Sequence, residues 1–110
     1  MMDAEEVAFT VDVTEESGEL RITPRGELDI ATQGELRAVL ERHARAAPLV
    51  LDLGQLRFID TSGLRLVLET AEAARRDGRA FAVLPGNAAV QRLFDVAGVA
   101  ELVPFRDRGR

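Results

Sequence analysis

Cysteine and lysine are both absent from this 110-residue chain, and each absence removes chemistry. Without cysteine there are no disulfides, no thiolate metal ligands and no thiol nucleophile, a composition that fits a reducing compartment. Without lysine, all 14 basic residues are arginine, which excludes Schiff bases and the phosphate-gripping lysine of P-loops. Long apolar runs are missing as well. No stretch nears the roughly 18 residues of a membrane span, and the acidic start "MMDAEEVAFT" lacks the character of a signal peptide. A cytoplasmic protein with no membrane partner is the expectation. Positive charge is also in deficit: the net charge of −5 argues against nucleic acid, whose binding needs a cationic face. Seven acids and no base occupy residues 1–20, while Arg106, Arg108 and Arg110 end the chain. The reading is a solvated acidic edge and a basic tail.

What is present suits one compact domain. Hydrophobic residues make up 46% and charged residues 30%, and a chain of this size buries roughly two-thirds of the surface its unfolded form exposes. Alternation in "VAFTVDV" puts Val7, Phe9, Val11 and Val13 on one side of a strand, "ESGE" turns the chain, and "LRITPRGEL" supplies a second strand with Leu20 and Ile22 inward. Pro24 suits an edge or an end of that strand better than its middle. In "ATQGELRAVLERHARAA", Thr32 and Glu35 have capping-box spacing, and Leu36, Val39, Leu40 and His43 share a helical face that Pro48 closes. "LVLDL" reads as a central strand. After "GQLRF", the residues Leu64, Val67, Leu68 and Ala71 repeat at i, i+3, i+4 and i+7 in a second helix. Asp77 and Gly78 end it, and "RAFAVL" is a further strand. Asn87 caps a third helix carrying Val90, Leu93 and Phe94 inward, Gly98 follows its end, and "VAELV" gives a last strand. The order is β-β-α-β-α-β-α-β, an α/β fold with helices packed on a mixed sheet.

The segment "FIDTSGL" at 58–64 concentrates the chemistry. Asp60, Thr61 and Ser62 are all good N-caps, so a helix start alone accounts for one of them. Three adjacent capping types beside Gly63 exceed that need, and the surplus points to an exposed hydroxyl with a function. A nucleophile elbow would need small residues where Asp60 and Leu64 stand. The single histidine, His43, continues an apolar stripe and has neither a triad nor a second metal ligand around it. An aspartic-protease loop would have glycine in place of Ser62 and an all-β chain around it. Asp52 at the end of "LVLDL" lacks the acidic pair and lysine of a phosphate-accepting receiver domain, and reads as a turn carboxylate.

These residues resemble a STAS domain of the bacterial anti-sigma factor antagonist type, from about Val7 to Phe105 of a single domain spanning 1–110. "LDLGQLRFIDTSGL" resembles that family's phosphorylation segment, with Ser62 at the modified position and Thr61 as the alternative acceptor. "GELDI" resembles the loop before the first helix, and implies that Asp29 lies near Ser62. The implied partner-binding set is Asp29, Asp60, Thr61, Ser62, Gly63, Leu64 and Arg65. The resemblance implies no catalysis by this chain. The unmodified domain would bind an anti-sigma factor that is itself a serine kinase and so free the sigma factor, and a serine phosphatase would reset the phosphorylated form. ATP and magnesium would belong to those partners, with no cofactor held here. Arg65 departs from the pattern, which often has glycine there. Three residues along the helix from Ser62, it is placed to meet a phosphate or the kinase.

Overall fold

The chain reverses at Ser17 and Gly18, both at positive φ (53° and 81°), the backbone that a tight hairpin requires. A computed structural model describes residues 8–46 and 48–108. Val7, the first residue of the inward set, lies outside them. The hairpin joins β1 (Thr10–Glu16) to β2 (Glu19–Leu28), which pair antiparallel with Val11 opposite Pro24. Then come α1 (Gln33–Arg42), β3 (Leu49–Asp52), β4 (Leu56–Ile59), α2 (Thr61–Arg76), β5 (Phe81–Leu84), α3 (Ala88–Ala97) and a 3-10 turn at Ala100–Leu102.

β3 is central, parallel to β2 on one side and to β5 on the other, and all four of its residues are buried. β4 continues the sheet beyond β3 by pairing parallel with the far end of β2. The ten residues of β2 thus serve two parallel neighbours, β3 at Leu20–Ile22 and β4 at Gly26–Leu28. This explains Pro24, which lies inside the strand and not at its end as expected. The Leu20 amide donates to Pro48 and the Gly26 amide to Gln55, so alternate residues from 20 to 26 point their nitrogens at the parallel side. Pro24 falls in the gap between the two neighbours, where a missing N–H costs no ladder bond.

Three sequence-based expectations are corrected. The observed order is β-β-α-β-β-α-β-α. Four residues of "GQLRFI" form β4, too short a run for alternation to register. "VAELV" is no strand: Ala100–Leu102 make a 3-10 turn, and the chain regains the sheet only at Phe105, in one parallel bridge to Val83. The capping box is also unmade. Thr32 does precede α1, but its hydroxyl turns back to the Glu27 carbonyl (2.7 Å) and the Asp29 turn.

Alternation sends Ile22, Leu49, Leu51 and Val83 to one face, where they join Leu36 and Leu40 of α1, Leu64 and Val67 of α2, and Val90 and Phe94 of α3 in one core. Burying each such side chain contributes about 1.5–3 kcal/mol. Phe94, fully buried, stands edge-on to Phe105 with ring centroids 5.2 Å apart and ties α3 to the C-terminal segment. On the opposite face Asp52 meets Arg108 and, at 3.7 Å, Arg21, while Arg106 forks onto both oxygens of Glu19 (2.8 and 3.1 Å).

Candidate functional site

β4 delivers the chain to the head of α2 through Asp60, whose amide still bonds to Leu28 of β2 (3.0 Å) and whose backbone is extended. The carboxylate then folds over the helix start. Its Oδ1 accepts from the Ser62 amide at 2.9 Å, the Gly63 amide at 3.1 Å and the Ser62 hydroxyl at 2.6 Å. Asp60 is therefore the N-cap, satisfying amides that the first turn leaves free. Desolvation alone would raise its carboxyl. The hydrogen bonds from Ser62, Gly63 and Ile30 outweigh it and hold the group below the usual carboxylate range.

The two hydroxyls of the turn differ. Thr61 is exposed, and among the described residues its hydroxyl has no hydrogen-bond partner; Ser62 is half-buried, with its proton directed at Asp60. Gly63 is buried because nothing larger fits: a Cβ there would lie 2.7 Å from Leu28 Cγ and 2.9 Å from Ile59 Cγ1. Leu64, 7% exposed, belongs to the core. Gly63 and Leu64 thus position the turn, while Thr61 and Arg65 stand exposed on it.

The Asp29 loop arrives beside this turn. Asp29 Oδ1 accepts from the Ala31 amide (3.0 Å), the Thr32 amide (3.1 Å) and the Thr32 hydroxyl (3.1 Å), and the Asp29 amide donates to Thr32 Oγ1 (3.0 Å). One bond spans the two loops: the Ile30 amide donates to Asp60 Oδ2 at 3.2 Å. Asp29 and Ser62 are thereby brought to one end of the sheet. Sequence reasoning missed Thr32 as the other half of the Asp29 turn, although Asp followed three residues later by Thr is a spacing that such side-chain turns use. It also missed Ile30. Among the described residues no three His, Cys, Asp or Glu side chains gather as a metal-ligand set, and no described helix is long and apolar enough to cross a membrane.

A capped helix start carrying two hydroxyls thus sits at one end of a mixed α/β sheet, beside a second ordered loop. The chain belongs to the STAS domain family: the family model described as "Mlab, STAS domain" matches residues 9–104. It is 29% identical over 100 residues to the anti-sigma F factor antagonist of Paenibacillus polymyxa, covering 88% of this chain and 86% of that one. It is 30% identical over 80 residues to the anti-sigma-B factor antagonist of Staphylococcus epidermidis, covering 71% and 74%. Solved structures share the fold. An anti-sigma factor antagonist from Mycobacterium paratuberculosis superposes with a TM-score of 0.79 at 24% identity, covering 89% of this chain and 85% of that one. The anti-sigma factor antagonist SpoIIAA in its unphosphorylated form does so at 0.71 and 22%, covering 94% and 90%.

Proposed function

We propose that this STAS domain is an anti-sigma factor antagonist whose binding is switched by phosphorylation of the turn at Thr61 and Ser62. In its unmodified form it docks on an anti-sigma factor that is also an ATP-dependent kinase, and the sigma factor is released. The kinase then transfers a phosphoryl group: the hydroxyl oxygen attacks the γ-phosphorus, its proton passes to a base of the kinase, and ADP leaves. Hydrolysis by a phosphatase returns the hydroxyl and inorganic phosphate. ATP and magnesium are the partner's, and the working compartment is the cytoplasm. The observation that carries this reading is the Asp60-capped turn, which presents hydroxyls in a chain whose named relatives are antagonists.

Adding phosphate brings about −1.5 to −2 charges. A helix N-terminus tolerates an anion, so the fold survives modification. Enclosed against a partner that fitted a neutral hydroxyl, the same charge costs several kcal/mol unless it is paired. Since about 1.4 kcal/mol is tenfold in affinity, part of that cost is enough to empty the complex.

Sequence resemblance put Ser62 first as acceptor and Thr61 second. Exposure supports the reverse order. Thr61 is open to a kinase, whereas a phosphate on Ser62 would crowd the Asp60 carboxylate that its oxygen already touches at 2.6 Å. Incubation with an anti-sigma kinase and ATP, followed by peptide mass spectrometry on Thr61→Ala and Ser62→Ala, tests both the switch and the site. Label retained by Ser62→Ala and lost by Thr61→Ala is the expected result. A second reading, a STAS scaffold or transport accessory module that is never phosphorylated, draws on the matching family model, whose description names Mlab and not an antagonist. Failure of every kinase to label the turn would favour it.

A further inference from the structure

Ile30 is 75% exposed, the highest value among the exposed large hydrophobics of the described residues. A lone apolar side chain at the surface is ordinary, but the backbone beneath this one is unusually fixed. Its own amide is held by Asp60 Oδ2. The residue before it accepts from the amides of Ala31 and Thr32, and the Thr32 hydroxyl closes the loop on the Glu27 carbonyl. None of these bonds uses the Ile30 side chain, so the loop would form with a polar residue there. The fold holds an apolar group outward, in one place, beside the hydroxyl turn.

We propose that Ile30 is the apolar anchor of the partner-binding surface, entering an apolar socket on the anti-sigma kinase next to the hydroxyl turn. Three observations converge on that occupant. The Ile30 amide and the Ser62 hydroxyl bond to the two oxygens of a single carboxylate, Oδ2 and Oδ1 of Asp60, so the backbone that carries the anchor is fixed beside the hydroxyl turn. The loop is ordered before binding, which removes much of the entropy cost that a mobile anchor would bring to association. The established neighbours of Ile30 are polar: Asp29 precedes it in the chain and Asp60 accepts its amide. That is the pattern of a buried contact ringed by a polar rim. The matching surface is an apolar socket with hydrogen-bond donors at its edge to meet the carboxylates.

This inference rests on the antagonist reading, and the test separates the two. The probes are the purified anti-sigma kinases of the source organism, titrated calorimetrically with unphosphorylated wild type, Ile30→Ala, Ile30→Ser and Ile30→Val. All four chains should melt alike, because the side chain lies outside the core. The alanine and serine variants should bind about tenfold or more weakly, with valine restoring most of the affinity. Wild-type binding with Ile30→Ala and Ile30→Ser within about threefold of it overturns the anchor and leaves the antagonist reading standing. No binding by wild type to any of the kinases overturns both.

Discussion

Asp60 Oδ1 lies 2.6 Å from the Ser62 hydroxyl and also accepts the amides of Ser62 and Gly63. One side chain therefore caps α2 and fixes the hydroxyl of the turn. Asp60→Ala should cost about 1–2 kcal/mol, the upper part of the range for an N-cap, because it strips several donors at once. Urea denaturation should show a lower midpoint at unchanged slope. A variant as stable as wild type would mean that water replaces the carboxylate without loss.

Acid should loosen the protein through the same kind of group. Asp60 and Asp52 both have folded-state pKa values below those of the unfolded chain. At Asp52 desolvation pushes upward, and the Arg108 hydrogen bond, the Gly54 amide and the charges of Arg108 and Arg21 pull it down further than that. Glu19 is likewise lowered, chiefly by Arg106. Stability from a depressed carboxyl is complete above the unfolded pKa, near 4, and drains away as pH falls through the folded value. Urea midpoints between pH 7 and pH 3 should therefore fall toward the acid end. Asp52→Asn should flatten that fall while lowering stability at neutral pH.

Gly63→Ala should destabilise despite the better helix propensity of alanine. The new methyl would stand 2.7 Å from Leu28 Cγ and 2.9 Å from Ile59 Cγ1, both on strands that hold the turn. Overpacking of this kind costs about 1–3 kcal/mol, more than the roughly 1 kcal/mol gained from propensity. Thermal unfolding should shift downward. An unchanged midpoint would show that Leu28 moves aside without penalty.

Much of this architecture is legible from residue order. The helical faces of α2 and α3, the Asn87 cap on the Val90 amide and the left-handed Gly98 follow from local spacing, since each depends on neighbours a turn away. What escaped depends on distant partners. β4 is four residues whose ladder exists only because the far end of β2 is free. Pro24 is tolerated because two neighbours leave a gap. "VAELV" has the composition of a strand, but Phe94 holds the Val99 amide (3.1 Å) and starts a 3-10 turn instead. At the site, the run Asp60 to Ser62 marked the turn, yet which residue caps and which stands exposed was decided by side-chain direction.

The C-terminal segment should behave as a clasp. Arg108 bonds to both oxygens of Asp52 and to the Pro85 carbonyl (2.8 Å), lying over Gly54, where any Cβ would strike its guanidinium. Asp52 is 7% exposed, so Arg108→Ala leaves a nearly buried carboxylate with the Gly54 amide and the more distant Arg21. The Arg108 side chain is 44% exposed, which places the expected loss at about 1–2 kcal/mol, between a surface pair and a fully buried one. Combining Arg108→Ala with Asp52→Asn should cost less than the sum of the two, because the orphaned charge is gone. Additive losses would deny the pairing.

Charge at the two hydroxyl positions should have separable effects, and this is the sharpest test of the switch. At Thr61 a carboxylate stands in solvent at the start of α2, where the helix dipole favours an anion, and Arg65 lies one turn along the same face. Thr61→Asp should therefore leave the melting temperature within a degree or two of wild type, yet weaken binding to an anti-sigma kinase by about tenfold or more, since the partner must desolvate the new charge. At Ser62 a carboxylate would replace a hydroxyl that now donates to Asp60 at 2.6 Å. Two like charges at that spacing repel and a hydrogen bond is lost, so Ser62→Asp should lower the melting temperature as well as the affinity. Ser62→Ala should keep binding while losing only the stability of that one bond, about 1 kcal/mol. Calorimetric titration beside thermal melts of the three variants distinguishes the outcomes. Equal affinity of Thr61→Asp and wild type for the same kinase would remove the electrostatic basis of the switch. A drop in affinity matched by unfolding at both positions would assign the loss to damage of the cap and not to charge at the interface.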